Sequence, residues 1–213
     1  MKKKIPFYSN TSDDSHCYQA VIKMMVKYFV PGKDFSWEEL DQLTAKKKGK
    51  WTWPMQGLLN FQKMGFEIAN YEEFDYQAFI KRGGDYLVEK YGKEAAEEQI
   101  KMSDISKEQR IAKEFIKVFG TKFVLPTLKT IRDFLRKGYI AIVNVNYYPL
   151  YRQPGYSGHF VIVLSIDKRS VRLHDPGLPR KDNMRIPLRQ FLAAWEYPDG
   201  RSRNLTAFKL KKT

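Results

Sequence analysis

The sequence predicts an α+β fold, with helices first and strands collected in the second half. Three observations carry that expectation. Ala20, Val21, Met24, Met25, Tyr28 and Phe29 recur at helical spacing directly after Asp13-Asp14-Ser15-His16-Cys17. Residues 139–146 form a near-continuous apolar run of strand length, as in a strand buried on both faces. Residues 159–166 and 171–175 then read as two further strands joined by a turn, not as an alternation of strands and helices.

Taken in order, the first helix is expected to have Asp14 or Ser15 as its N-cap, which places Cys17 in the first turn. Unpaired amides and the positive end of the helix dipole favour a thiolate there. Pro31-Gly32 breaks the pattern, and Ser36-Trp37-Glu38-Glu39 reads as a capping box. Residues 45–50 are a basic exposed turn. Met55, Leu58 and Leu59 mark a short helix ending near Gly65, and residues 66–71 alternate like a strand. From 72 to 121 the chain is rich in Glu, Lys, Ala and Gln, with Gly83-Gly84 and Gly92 as punctuation and only thin apolar stripes. This segment is expected to be a helical insertion, a lid or substrate-groove element, within one domain spanning 1–213. A helix follows Pro126 and closes at Lys137-Gly138. Residues 147–158 form a loop rich in Tyr, Pro and Gly, residues 186–195 a short helix, and 205–210 a closing strand.

With 43% hydrophobic and 15% aromatic residues, the chain has ample material for a core. No run approaches 18 apolar residues, so no membrane span is expected. The basic start Met1-Lys2-Lys3-Lys4 has no apolar region after it, which argues against a signal peptide. A single cysteine makes no internal disulfide, and a cytoplasmic location is the simplest expectation. The net charge is +14, yet residues 72–126 are close to neutral, so the excess is concentrated elsewhere. Such a balance attracts an acidic partner, with nucleic acid a less favoured instance, or it is a solvated basic surface. One cysteine and three histidines offer no ligand set with zinc spacing, and no metal or cofactor is expected.

A cysteine nucleophile needs a base, and the base needs a third group to fix its tautomer. His16 adjoins Cys17 on the chain and points about 100° away on a helix, so it is a poor base for that thiol. His159 opens a strand just after a glycine-containing loop, where a side chain reaches both the sheet and solvent. Strand parity links it to Asp175. An odd-numbered turn after Ile166 sets Asp175 opposite Val161, on the face of His159, with His174 facing away; an even turn aligns His174 instead.

Cys17 with Ala20 and its apolar helix, Gly158-His159-Phe160-Val161-Ile162-Val163, Asp175-Pro176-Gly177 and Phe191-Leu192-Ala193-Ala194-Trp195 together resemble the C39-like cysteine peptidases. Those enzymes are relatives of the bacteriocin-leader-processing peptidase domains. The resemblance implies a papain-like fold, N-terminal helices on a C-terminal antiparallel sheet. It implies a Cys-His-Asp triad of Cys17, His159 and Asp175, acting on a peptide or amide bond of a peptide or protein substrate. Two departures stand out. Cys17-Tyr18-Gln19-Ala20 replaces the usual Cys-Gly-Pro-Ala, and Thr11 stands where the family's oxyanion glutamine is expected. Asn10 is then the candidate oxyanion donor. The departures keep two alternatives open, a catalytically weak or inactive binding module for an acidic partner, and an acyltransferase or glutamine deamidase using the same triad.

Overall fold

The computed structural model describes residues 4–120 and 123–211. Met1, Lys2 and Lys3 of the basic start, and Thr121 at the end of the expected insertion, lie outside the described residues. The chain opens with α1 (Cys17–Phe29), α2 (Trp37–Thr44), α3 (Met55–Lys63) and β1 (Phe66–Glu72). Next come α4 (Tyr76–Arg82), α5 (Gly84–Tyr91), α6 (Lys93–Met102), α7 (Ile105–Phe119) and α8 (Leu128–Arg136). The rest is β2 (Ile140–Asn146), α9 (Tyr147–Leu150), β3 (Gly158–Ile166), β4 (Ser170–Asp175), β5 (Lys181–Pro187), α10 (Leu188–Trp195) and β6 (Asn204–Leu210). This is the α+β class read from the sequence, and it is consistent with a papain-like architecture.

The described strands pair antiparallel in the order β1-β6-β2-β3-β4-β5, so the last strand slots between the first two. Helices cover both faces. On one, Ile22, Met24 and Met25 of α1 pack with Ile142, Phe160 and Ile162. On the other, Ile131 of α8 and Phe191 and Trp195 of α10 pack with Val143, Val161 and Leu173. A strand covered on both faces has no polar side to show, which is why β2 and β3 read as unbroken apolar runs.

The register between β3 and β4 reaches the expected pairing by an unexpected route. The turn is the even one, with Ile166 opposite Val171. Alone it would bring His174 onto the face of His159. A register shift between Val163 and Ser165 then inserts one extra residue, so that Leu173 pairs with Val163 and His174 with Ile162. One step further along this register Asp175 lies beside Val161, sharing a face with His159.

Two other expectations are corrected. The N-cap of α1 is His16, not Asp14 or Ser15, and no side chain caps the helix. Residues 186–195 are not all helix, because Ile186 and Pro187 end β5 and α10 starts at Leu188. Strand β5 carries a charged, edge-type sequence whose only apolar residues before Pro187 are Met184 and Ile186, so it has little periodicity to read. The basic turn at 45–50 is exposed at 47–49, as expected, and it also braces the helical segment, since Lys47 pairs with Asp104 (2.8 Å) and Lys107 Nζ donates to Ala45 O (2.6 Å).

Phe208 of β6 is fully buried against the rings of Phe61 and Phe66. Phe208→Ala should lower the unfolding free energy by about 3–5 kcal/mol in urea titrations, because it opens a cavity that the flanking strands cannot close.

Candidate active site

Cys17 is the first residue of α1 and is half-buried. His159 is the second residue of β3, opposite Val145 on β2, and Asp175 ends β4. Helix start and strand ends meet because α1 lies across β3. His159 Nε2 is 2.6 Å from Asp175 Oδ1, and both side chains are buried. Cys17 lines the same cleft as His159 and lies within electrostatic reach of its imidazole.

Asp175 is fixed from several sides. Its Oδ1 also accepts the Gly177 N–H (2.8 Å), and its Oδ2 accepts the Tyr151 hydroxyl (2.6 Å). A Cβ at residue 177 would lie 3.0 Å from Asp175 Oδ1 and 3.2 Å from His159 Cε1, so a larger residue there crowds the pair. Tyr147 stands edge-on to the His159 ring, with centroids 5.4 Å apart. Neither Tyr151 nor Gly177 was singled out as a site residue by sequence reasoning. The tyrosine-rich loop and the Asp175-Pro176-Gly177 strand end were the only signals, and neither says which atom they reach.

Burial on its own would push the His159 pKa down. The Asp175 carboxylate and the Cys17 thiol outweigh it and raise the imidazole to about 10. Burial likewise opposes ionisation of Asp175, yet His159, Tyr151 and the Gly177 N–H hold its carboxyl below the usual range.

The other histidines lie elsewhere. His16 is engaged by Thr11 Oγ1 (2.7 Å) and Asp41 (3.2 Å), and His174 by Ile5 O (3.2 Å) and Asp182 (3.0 Å). Gln19 points into the core, where its Nε2 donates to Thr44 Oγ1 (2.8 Å) and Thr52 Oγ1 (2.9 Å). Asn10 is held within its own turn. Its Oδ1 accepts the N–H groups of Thr11 (2.9 Å) and His16 (2.6 Å), and its Nδ2 donates to Asp14 Oδ1 (2.6 Å). The amide is buried in that turn and does not line the cleft. Asp14 does line it, with a positive φ of 53° that aspartate tolerates better than most residues.

Cys17 and His159 line a cleft of about 280 Å³. Trp51 and Trp53 form part of its wall, and Tyr91 of α5 and Gln99 of α6 close it from the helical segment. That segment is tied down around the cleft. Gln99 Nε2 donates to Tyr156 Oη (3.0 Å), Trp53 Nε1 to Ser103 Oγ (2.8 Å) and the Trp51 N–H to Met102 O (2.6 Å). Among the described residues no cluster of His, Cys, Asp and Glu could hold a metal ion, and no helix is long and apolar enough to cross a membrane.

Residues 5–193 match the model of the Peptidase_C39 like family. The chain belongs to that family. The matched span covers most of the sequence and contains Cys17, His159 and Asp175, together with the helical segment that walls the cleft. No curated protein matches the chain significantly. Membership of the Peptidase_C39 like family gives a peptidase-like relationship and points to a protein substrate.

The pair also makes a stability prediction. A raised histidine pKa contributes fully below the ordinary value of about 6.5 and is lost as pH rises through about 10. The lowered carboxyl of Asp175 contributes above about pH 4 and is lost as pH falls. The urea midpoint of the wild type should therefore fall between pH 6.5 and 10 more steeply than that of His159→Gln. Parallel pH dependences in the two proteins would contradict it.

Proposed function

We propose that this member of the Peptidase_C39 like family is a thiol-dependent hydrolase acting on a peptide or amide bond. Cys17 is the nucleophile, His159 the general base and then acid, and Asp175 the carboxylate that orients the ring. The observation that carries this reading is the imidazole held by the Asp175 carboxylate in the same cleft that Cys17 lines. The sulfur attacks the substrate carbonyl, and the imidazolium gives its proton to the departing amine. Water then yields a proton to His159 and attacks the thioester, releasing the acid and restoring the thiol. The N–H of Cys17 is the oxyanion donor in this scheme, at a helix start that no side chain caps. The helical segment from 72 to 121 acts as a groove element, with Tyr91 and Gln99 facing the substrate.

One observation favours a second reading, a catalytically weak domain that binds rather than cleaves. The Asn10 amide gives one N–H to Asp14 and stays buried outside the cleft lining, so it is not offered to an oxyanion there. Losing one such donor costs about 10²–10³ in rate.

Two measurements separate these readings. In this scheme His159 takes the proton from the sulfur as it reacts, so iodoacetamide should alkylate wild-type Cys17 faster than His159→Ala by about tenfold or more. Incubation with an activated ester should leave an acyl adduct on Cys17 that mass spectrometry resolves and that water then clears. Alkylation indifferent to His159→Ala would defeat the thiol chemistry, and an adduct that never clears would favour the second reading.

A further inference from the structure

The cleft continues from the thiol onto the sheet. Glu72 on β1 stands opposite Asn204 on β6, and Asn70 opposite Thr206, and all four line the cleft. This floor is rigid. The Asn204 amide holds the Asn144 N–H (2.6 Å) and C=O (2.8 Å), and Thr206 Oγ1 donates to Asn70 Oδ1 (2.8 Å). Asn70 Nδ2 (2.7 Å) and Tyr76 Oη (2.5 Å) both donate to Glu72 Oε1, and among the described residues Oε2 has no bond.

Glu72 also has no ion pair among the described residues, although its neighbours do. Glu73 is paired with Arg201 (2.6 Å), and Arg203 lies over Trp195 and 3.9 Å from Glu196. Lys90 is within electrostatic reach of Glu72 but gives its ammonium to Arg201 O (2.9 Å). Phe74 and Tyr91, near-parallel with centroids 6.5 Å apart, line the same cleft. Burial disfavours the charged form of Glu72 and raises its pKa, so a cation brought beside the carboxylate would be favoured.

We infer that this end of the cleft is a subsite for a cationic side chain of the substrate, lysine or arginine, with Glu72 as the selecting carboxylate. The inference takes the cleft as the substrate groove and to that extent rests on the proposed function, but binding here requires no turnover. The net charge of +14 works against a cationic peptide at long range. Salt screens that repulsion beyond about 8 Å, whereas a contact with a desolvated carboxylate is screened far less.

The test uses full-length Cys17→Ala and fluorescein-labelled hexapeptide pools that differ at one fixed position, which carries lysine, arginine, norleucine or glutamate. By fluorescence anisotropy, lysine and arginine pools should bind about tenfold more tightly than norleucine at one position, with glutamate weakest. Adding Glu72→Gln should abolish that preference, and Glu72→Asp should restore part of it. Glutamine keeps the acceptor that Asn70 and Tyr76 use, and a thermal melt checks each variant. Norleucine pools that bind as well as lysine pools at every position, or a preference that survives Glu72→Gln, would overturn the subsite. Failure of the thiol chemistry shows separately, as alkylation indifferent to His159→Ala, and leaves this binding result standing.

Discussion

The contact between His159 Nε2 and Asp175 Oδ1 is the constraint on which the rest of the candidate site depends. A buried carboxylate left alone costs several kcal/mol, so the fold must bring compensating groups to it. Here they come from three parts of the chain: the imidazole from β3, the Tyr151 hydroxyl from the segment after β2, and the Gly177 N–H just past β4. Each needs the others in place. A side chain at 177 would crowd both Asp175 and the ring, and β3 faces β4 correctly only because of the register shift near residue 164.

What was legible in the sequence follows from how local each signal is. The helix α1 and the strands β2 and β3 bury their side chains, and burial leaves a period that can be read. The capping box at Ser36 and Glu39 was equally local and equally readable. The register shift was not, because its evidence lies in a partner strand and not in the residues around Leu164. The even turn that closes on Val171 favours His174, and only the extra residue gives the face to Asp175. Strand β5 was illegible for the opposite reason: an edge strand full of charge buries too little to show a pattern.

The turn before α1 shows a local rule yielding to its surroundings. Asp14 and Ser15 are residue types that cap helices, but Asp14 adopts a positive φ and Ser15 turns its hydroxyl to Asp13 (2.8 Å). Asn10 takes over the satisfying of backbone groups, accepting the His16 N–H from six residues away. The cost is a helix start without a side-chain cap, a loss usually worth about 1 kcal/mol. The gain is that amides at the start of α1 keep a free donor next to Cys17. The turn thus holds Asn10 in place while the first amides of α1 meet no capping side chain.

The distribution of charge argues in the same direction. The excess of lysine and arginine lies largely outside residues 72–126, and some of those cations serve as braces, Lys23 to Asp34 and Lys47 to Asp104. The cleft is different in character. Asp14, Glu72 and Glu73 line it against Arg201 and Arg203, so its ionisable side chains other than the cysteine and histidine carry no positive excess. A basic surface draws in acidic polymers at a distance, but a groove with this lining gives them no reason to stay. Attraction to an acidic partner, if the outer surface exerts it, is therefore physically separate from whatever enters beside Cys17.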